Sequence, residues 1–157
     1  MEIVLLAVGK TDRNWIGEGF DLYRSRLRRY VSFSSVEIPE LKNVSSLTRE
    51  QIKEKEGLLV LKNLKDGDEV ILLDEKGREY TSVEFAGMLE KRISMGGKRM
   101  VFVIGGAYGF SAPVYQRASG LVSLSRMTFS HQMVRTIFAE QLYRAFTIIK
   151  GEPYHHE

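Results

Sequence analysis

The chain has 157 residues, 43% of them hydrophobic and 27% charged, and its formal net charge is +3. This length and apolar content predict one domain, residues 1–157, built around a single hydrophobic core. The absence of cysteine excludes a disulfide scaffold, a zinc ribbon and a thiol nucleophile, and it is compatible with a cytoplasmic protein. No apolar run approaches the length of a membrane span, and the small positive charge permits but does not require a polyanionic partner.

The first half of the chain predicts two strands and two helices. The apolar run Ile3–Val8 indicates a buried strand rather than a signal peptide, because it is short and follows an acidic residue. Helix-period apolar residues predict a helix over Asn14–Tyr30, and a weaker strand follows at Val36–Ile38. A capping pattern opens a helix at about Thr48–Leu64, and the poorly patterned region Leu41–Leu47 before it is expected to be a surface loop.

The second half continues the alternation with three strands and three helices. A turn at Asp74–Gly77 is predicted to separate the first of these strands from the first helix. In chain order the predicted elements are a strand at Glu69–Leu73, a helix from Thr81 to near Gly96, a strand at Met100–Ile104, a short helix at Ser111–Ala118, a strand at Leu121–Leu124 and a helix at His131–Lys150. This alternation predicts an α/β fold with a mostly parallel sheet and helices on both faces.

Three glycines follow the buried strand that ends at Ile104. Gly105, Gly106 and Gly109 let the backbone turn sharply and let a ligand approach main-chain groups without obstruction by Cβ atoms. Such a turn suits a nucleoside or a nucleotide, although a plain tight turn explains the same residues. The spacing matches neither the dinucleotide-binding pattern nor the P-loop, so both of those phosphate-binding motifs are poorly supported.

A second candidate segment lies where the strand Leu121–Leu124 is followed by the last predicted helix. Polar residues separate the two elements, and Ser130 is a good N-cap for a helix that begins at His131. Loops at this end of a parallel sheet are where α/β proteins bind ligands, so the segment is a candidate functional site. An ordinary strand-to-helix turn is the alternative interpretation.

All three histidines lie near the C-terminus, at His131, His155 and His156. His131 and Arg135 are four residues apart and should project from one helix face, where Arg135 can orient an anionic group beside the imidazole. A surface or capping histidine is the alternative interpretation. No metal is expected, because this pair is not a metal-ligand motif and consecutive histidines point apart on any regular element.

Two helices carry further patterns that bear on partners. The first predicted helix contains a group of arginines that can either line a phosphate backbone or form a solvated face, namely Arg24, Arg26, Arg28 and Arg29. The last predicted helix, 131–150, carries an apolar stripe whose spacing is that of a core or of a dimer interface. Neither pattern by itself distinguishes between its two interpretations.

Five blocks of sequence occur in a fixed order along the chain: Leu6–Lys10, Ile104–Gly109, Leu124–Gln132, Glu140–Ala145 and Pro153–His155. Together they resemble the pseudouridine N3-methyltransferases of bacterial large-subunit rRNA, which are SPOUT methyltransferases. The resemblance covers essentially the whole chain, and the ordered combination is far more specific than any one block. One position departs from it, because Ser130 stands where that family is expected to have a proline before the histidine.

The resemblance implies a deep trefoil knot near the C-terminus and a homodimer across which the active site is completed. It implies S-adenosyl-L-methionine as the cofactor, and N3 of a pseudouridine in 23S rRNA, within the large subunit or the assembled ribosome, as the target. Carried over by position, the cofactor-binding residues would be Leu73, Gly105, Leu124, Ser125, Arg126, Met127, Thr128 and Phe129. Periodicity and composition give no sign of the knot.

Residue roles at the acceptor are less well defined by the resemblance. The acceptor N3 must lose a proton, and His131 is the candidate base. Arg135 is the candidate stabiliser of the developing anion or of a phosphate, and Tyr154 with His155 is expected to close over the target base. A ribosome-associated RNA-binding protein without catalysis, and a nucleotide-binding protein that does not bind RNA, are the two alternatives from other functional classes. Intact site residues disfavour the former, and the absence of a phosphate-binding motif disfavours the latter.

Overall fold

Strands and helices alternate along the whole chain, as the sequence predicts, in a computed structural model that describes all residues from Met1 to Glu157. The strands are β1 Glu2–Val8, β2 Ser32–Ile38, β3 Glu69–Glu79, β4 Arg99–Ile104 and β5 Gly120–Ser123. The α-helices are α1 Trp15–Leu27, α2 Arg49–Lys62, α3 Ser82–Ser94, α4 Ala112–Arg117 and α5 Met133–Ile149. The alternation predicted from the apolar runs is therefore confirmed.

The five strands form one parallel sheet in the order β2-β1-β4-β3-β5. In the middle of β1, for example, Leu5 pairs with Ser35 on one side and with Phe102 on the other. Because every strand runs in the same direction, their carboxyl ends share one edge of the sheet. The loops that follow β3, β4 and β5 consequently meet at that edge.

Alternate side chains of the sheet pack into two separate hydrophobic layers. On one face Ile3 and Leu5 join a cluster that contains residues of α1, α3 and α5. On the opposite face Val4 and Leu6 join a cluster that contains Val60 of α2 and a residue of α4. Covering both faces explains why the strands are nearly continuous apolar runs rather than alternating ones, and it confirms the predicted helices on both sides.

Strand β2 is longer than the sequence predicts. Its first residues, Ser32–Ser35, are mostly polar, so the apolar pattern reveals only Val36–Ile38. The whole strand nevertheless pairs with β1 in register, from Glu2 opposite Ser32 onward, because it lies at the edge of the sheet, where hydrogen bonding compensates for the missing apolar side chains. The expected loop Leu41–Leu47 contains only a short 3-10 turn at Val44–Ser46.

Helix α5 begins at Met133, two residues later than the predicted start at His131. The side chain of Gln132, at the N-cap position of α5, hydrogen-bonds outside the helix. Its Oε1 accepts a hydrogen bond from the Asp12 N–H, and its Nε2 donates one to the Lys10 carbonyl, both at 2.9 Å. Ser130 still satisfies a first-turn donor, since its Oγ accepts from the Met133 N–H at 3.1 Å.

The predicted turn at Asp74–Gly77 is wrong, because β3 resumes its pairing after it and ends only at Glu79. Val122 of β5 pairs with both Leu73 and Arg78, with a break in register between these two partners. Gly77 lies directly against the β5 backbone there, and a Cβ at this position would be only 2.6 Å from the Val122 nitrogen. The turn-like residues therefore let β3 pass close to another strand, a contact between segments far apart in sequence.

Candidate active site

A cavity of about 810 Å³ opens at the carboxyl edge of the sheet, where the loops after β3, β4 and β5 meet. Its volume lies within the range of small-molecule sites, and carboxyl ends of parallel strands are where α/β folds bind ligands. Seven of the eight cofactor positions that the resemblance implies line this cavity: Leu73, Gly105, Leu124, Ser125, Met127, Thr128 and Phe129. Three stretches that are distant in sequence thus contribute to one site.

Arg126 is the implied cofactor position that does not line the cavity. Its side chain is 85% exposed, and its nearest acidic partner is Glu79, with an Arg126 Nε to Glu79 Oε1 distance of 3.8 Å. An exposed pair at this distance contributes little to stability.

The loop from Leu124 to Phe129 offers backbone hydrogen-bond donors to a ligand. Ser123 Oγ donates to the Ser125 carbonyl at 3.0 Å, and the Met127 N–H donates to Ser125 Oγ at 2.9 Å. No other backbone N–H of this loop has a hydrogen-bond partner within the chain. Unpaired main-chain groups beside an apolar wall are what a purine ring requires for recognition, so the loop fits an adenosine-containing ligand.

Gly105 lies at the turn between β4 and the cavity, and its lack of a side chain has a steric reason. A Cβ on Gly105 would be 3.0 Å from the aromatic ring of Phe110. Phe110 in turn packs edge-on against Tyr115, with 5.8 Å between the ring centroids. Both aromatic residues line the cavity, so a side chain at Gly105 would displace its wall.

Asp74 and Tyr115 form a pair in this cavity that the sequence analysis did not identify. The Tyr115 hydroxyl donates a hydrogen bond to Asp74 Oδ2, while Asp74 Oδ1 accepts from the Lys76 N–H at 2.7 Å. Burial and the hydrogen bond to Asp74 raise the pKa of Tyr115 to about 12. The position of Asp74 directly after a predicted strand could have indicated a ligand-binding residue. No sequence pattern distinguished Tyr115 from an ordinary helix residue.

His131 lines the cavity and is the only histidine that does so. Its side chain is exposed at the rim, beside Ser130 and Val134 of the same segment. A histidine in this position can meet a substrate that enters from solvent and is placed to act as a general base toward it. The geometry is therefore compatible with the role that the sequence analysis assigned to His131.

Arg135 does not share that position, and the role expected for it must be revised. Its side chain is 1% exposed, and its guanidinium donates four hydrogen bonds of 2.9 Å within the chain. The acceptors are the carbonyls of Val8, Gly9 and His131 and the hydroxyl of Thr11. Burial lowers the pKa of Arg135, and neighbouring carboxylates, foremost Glu37, oppose that shift. Arg135 fixes the loop after β1 against α5 and has no free face for a substrate.

Tyr154 and His155 pack on the later turns of α5 rather than beside the cavity. The Tyr154 hydroxyl donates to Glu140 Oε1 at 3.1 Å, and its ring meets that of Tyr143 edge-on at 4.7 Å. Arg144 lies over the Tyr154 ring at 4.7 Å and is 3.1 Å from His155 Nδ1. Burial is the largest cause of a raised pKa for Tyr154. The tail is thus an ordered part of the α5 surface.

The distance along α5 separates this tail from His131 in the same chain. Glu140, which binds Tyr154, follows Met133, the first residue of α5, by seven residues, or about 10 Å along the helix axis at 1.5 Å per residue, and His131 precedes that helix. Neither Tyr154 nor His155 lines the cavity. One chain by itself therefore does not bring the predicted tail residues and the predicted base together.

Arginines in the last turn of α1 and just after it lie beside this tail. Arg26 is 5.6 Å from the centre of the Tyr143 ring, and Arg29 pairs with Glu152 at 3.3 Å. These contacts join the basic part of α1 and the C-terminal tail into one surface of cations and aromatic rings. Such a surface can stack on bases and neutralise phosphates, although its arginines are partly engaged within the chain.

Two further properties concern metal ions and membranes. No group of three or more histidine, aspartate or glutamate side chains is arranged to hold a metal ion. None of the helices is both long enough and apolar enough to cross a lipid bilayer.

The parallel sheet and the cavity at its carboxyl edge define an α/β protein of the class that binds small ligands at strand ends. A family model described as "Predicted SPOUT methyltransferase" matches residues 1–155. The chain is 54% identical to the ribosomal RNA large subunit methyltransferase H of Parabacteroides distasonis, and 53% and 52% identical to the proteins of that name from Flavobacterium johnsoniae and Bacteroides thetaiotaomicron. Each of these alignments covers 100% of both chains. The chain therefore belongs to the SPOUT methyltransferases, in the family of ribosomal RNA large subunit methyltransferase H.

Proposed function

We propose that the protein uses S-adenosyl-L-methionine to methylate N3 of a pseudouridine in the 23S rRNA of the large ribosomal subunit, in the cytoplasm. The observation that carries the proposal is the convergence of Leu73, Gly105 and the loop Leu124–Phe129 on one cavity with His131 at its rim. The family to which the chain belongs, and its full-length relatives named ribosomal RNA large subunit methyltransferase H, support methylation of large-subunit rRNA.

The residues of the cavity fit the cofactor. Unpaired backbone donors between Leu124 and Phe129 suit the adenine, and the apolar side chain of Leu73 suits its ring face. When bound, S-adenosyl-L-methionine would supply a methyl group on a sulfonium, which is a good leaving group. The protein's contribution is then mainly to hold the acceptor nitrogen in line with that methyl group, which makes the reaction effectively intramolecular.

His131 is the residue that we assign to the proton on N3. It is exposed at the cavity rim, where it can reach the base without displacing the cavity wall. Arg135 contributes indirectly, because it donates to the His131 carbonyl and thereby fixes the backbone that carries the imidazole. Arg135 is thus a positioning residue in this proposal and makes no contact with the rRNA.

The proposed enzyme is a homodimer, in which the tail of each copy completes the cavity of the other. Tyr154 and His155 do not line the cavity of their own chain, so a role for them at the target base requires a second copy. Two large apolar side chains at the first residues of α1 and α5 support a partner surface, since Trp15 is 61% and Met133 is 41% exposed. Exposed apolar groups of this size on neighbouring helices are typical of interfaces.

We further propose that the chain is knotted at β5. Val122 pairs with residues on both sides of the break in β3, and Gly77 lies against the β5 backbone between them. This arrangement supports a path in which β3 crosses from one edge of β5 to the other before α3 begins. The chain after Leu73 would then form a loop through which β5 and the segment after it pass. Knots are rare in proteins, but SPOUT enzymes are expected to contain one.

The reaction is tested by methylation of ribosomes from a strain that lacks this gene. Incubation with labelled S-adenosyl-L-methionine and the protein should transfer label to 23S rRNA, and mass spectrometry should locate one new methyl group on a pseudouridine. His131→Ala should lower the rate strongly, whereas His156→Ala provides a matched control. A protein that binds ribosomes and the cofactor but transfers no methyl group would support the non-catalytic alternative instead.

A further inference from the structure

The carboxylate of Asp74 is held at two points, and both it and its partner Tyr115 line the cavity. Oδ1 accepts a hydrogen bond from the Lys76 N–H at 2.7 Å, and Oδ2 accepts one from the Tyr115 hydroxyl. Tyr115 is itself fixed by its edge-on contact with Phe110. The orientation of the carboxylate is consequently set before any ligand binds.

Asp74 retains the capacity to accept further hydrogen bonds. An ionised carboxylate has about four acceptor directions, of which the Lys76 and Tyr115 contacts occupy two. Tyr115 donates to Asp74 as a neutral phenol, and burial together with that hydrogen bond raises its pKa to about 12. The ligand chemistry that matches the remaining acceptors is a pair of neighbouring hydroxyl groups, and in other α/β folds a carboxylate at a strand end accepts from a ribose in this way.

The charge of Asp74 allows a second interpretation, in which it attracts the sulfonium of the methyl donor. That positive charge disappears as the methyl group is transferred, so a carboxylate beside it would stabilise the reactants more than the transition state. Asp74 also follows directly on Leu73, which belongs to the part of the cavity assigned to the nucleoside. Both considerations favour hydroxyl groups over the sulfonium as the ligand of Asp74.

We infer that Asp74 accepts hydrogen bonds from the 2′- and 3′-hydroxyls of the cofactor ribose, and that Tyr115 positions it. The inference rests on the proposed function and names a contact within that site. Neither residue belongs to the cofactor positions that the resemblance implied. The subsite would let the protein distinguish a ribonucleoside from a ligand that lacks the diol.

Calorimetry with two ligands tests this contact without relying on turnover. S-adenosylhomocysteine and its 2′,3′-dideoxy analogue are titrated into the wild-type protein and into Asp74→Asn, which is nearly isosteric and can still accept from Lys76. The wild type should prefer the ribose form by about 10-fold to 100-fold, as expected for hydrogen bonds to a charged group. Asp74→Asn should reduce that preference to no more than about threefold, because the amide nitrogen is not an acceptor.

Two further variants test whether the change in ligand preference is specific to the Asp74 carboxylate. Glu75→Gln removes a neighbouring carboxylate that lines the same cavity, and it should retain the full preference. Tyr115→Phe keeps the ring and should lower the preference only partly, because the carboxylate loses one of its two anchors. A wild-type preference that survives in Asp74→Asn, or a wild type that binds both ligands equally, would overturn the inference. Failure of the wild type to bind S-adenosylhomocysteine at all would instead overturn the proposed cofactor.

Discussion

Arg135 on α5 donates a hydrogen bond of 2.9 Å to the carbonyl oxygen of Gly9, which lies 126 positions earlier in the chain. The same guanidinium also donates to the Val8 carbonyl and to Thr11 Oγ1. One buried cation therefore joins the end of β1 to the first turn of α5. The backbone of His131 depends on this contact, because Arg135 donates to its carbonyl as well.

Replacing Arg135 by methionine should destabilise the fold by about 2 to 5 kcal/mol, because it leaves several buried acceptors without donors. Chemical denaturation followed by circular dichroism measures the loss. Arg13→Met removes an exposed arginine and should change the free energy of unfolding by no more than about 0.5 kcal/mol. Equal stability of the two variants would show that the Arg135 contacts are unimportant.

Gly77→Ala should destabilise the protein by about 1 to 3 kcal/mol or more, as overpacking of a tightly packed site does. The added Cβ would come within 2.6 Å of the Val122 nitrogen, a backbone atom that cannot move without disturbing β5. Gly87→Ala is the control, since a Cβ there meets nothing within 4 Å and the residue lies within α3. That substitution should stabilise the helix by about 1 kcal/mol. Melting temperatures that shift in the same direction in both variants would count against the close approach at Gly77.

Gly105→Val should abolish measurable binding of S-adenosyl-L-methionine. A Cβ at Gly105 already lies 3.0 Å from the Phe110 ring, and the added methyl groups would force that ring or themselves into the cavity. Calorimetry measures the effect, and Gly67→Val, at a position where a Cβ would meet nothing within 4 Å, is the control. Unchanged binding in Gly105→Val would remove this loop from the proposed cofactor site.

Truncation after Glu152 should leave cofactor binding nearly intact and abolish methyl transfer to ribosomes. The removed tail contacts α5 through Tyr154 and His155 but does not line the cavity of its own chain. His155→Ala should likewise retain cofactor binding and should lower methyl transfer to a smaller extent than the truncation. A truncated protein that methylates at the wild-type rate would show that the tail has no part in catalysis, and loss of cofactor binding would assign the tail to the methyl-donor site.

The protein should sediment as a homodimer at micromolar concentration, and Trp15→Glu should shift it toward monomer. Trp15 is the first residue of α1, where an acidic side chain suits the helix dipole, so the monomer should stay folded. Leu58→Glu is the matched control, because Leu58 is 68% exposed on α2, on the other face of the sheet. A Trp15→Glu variant that is monomeric and fully active would contradict a site shared between two copies.

The sequence by itself determines the sheet and most of its helices. Continuous apolar runs such as Ile3–Val8 and Met100–Ile104 can only be buried on both faces, which requires a parallel sheet covered by two helical layers. The capping patterns at Thr48 and Thr81 place the starts of α2 and α3 correctly, because a cap acts on the next few residues. The family was likewise evident from contiguous blocks of sequence.

Tertiary structure decides the contacts that join distant segments. Arg135 shares a predicted helical face with His131, but whether that face meets solvent or the end of β1 depends on how α5 packs. Asp74 and Tyr115 are 41 positions apart, and only the order of strands in the sheet brings them together. The residues before Arg78 have the composition of a turn, because turn propensity depends only on neighbouring residues and not on the packing of β5 against them. Local sequence acts through interactions between residues a few positions apart in the chain. The contacts of Arg135, Asp74 and Gly77 depend instead on which surfaces the folded chain brings together.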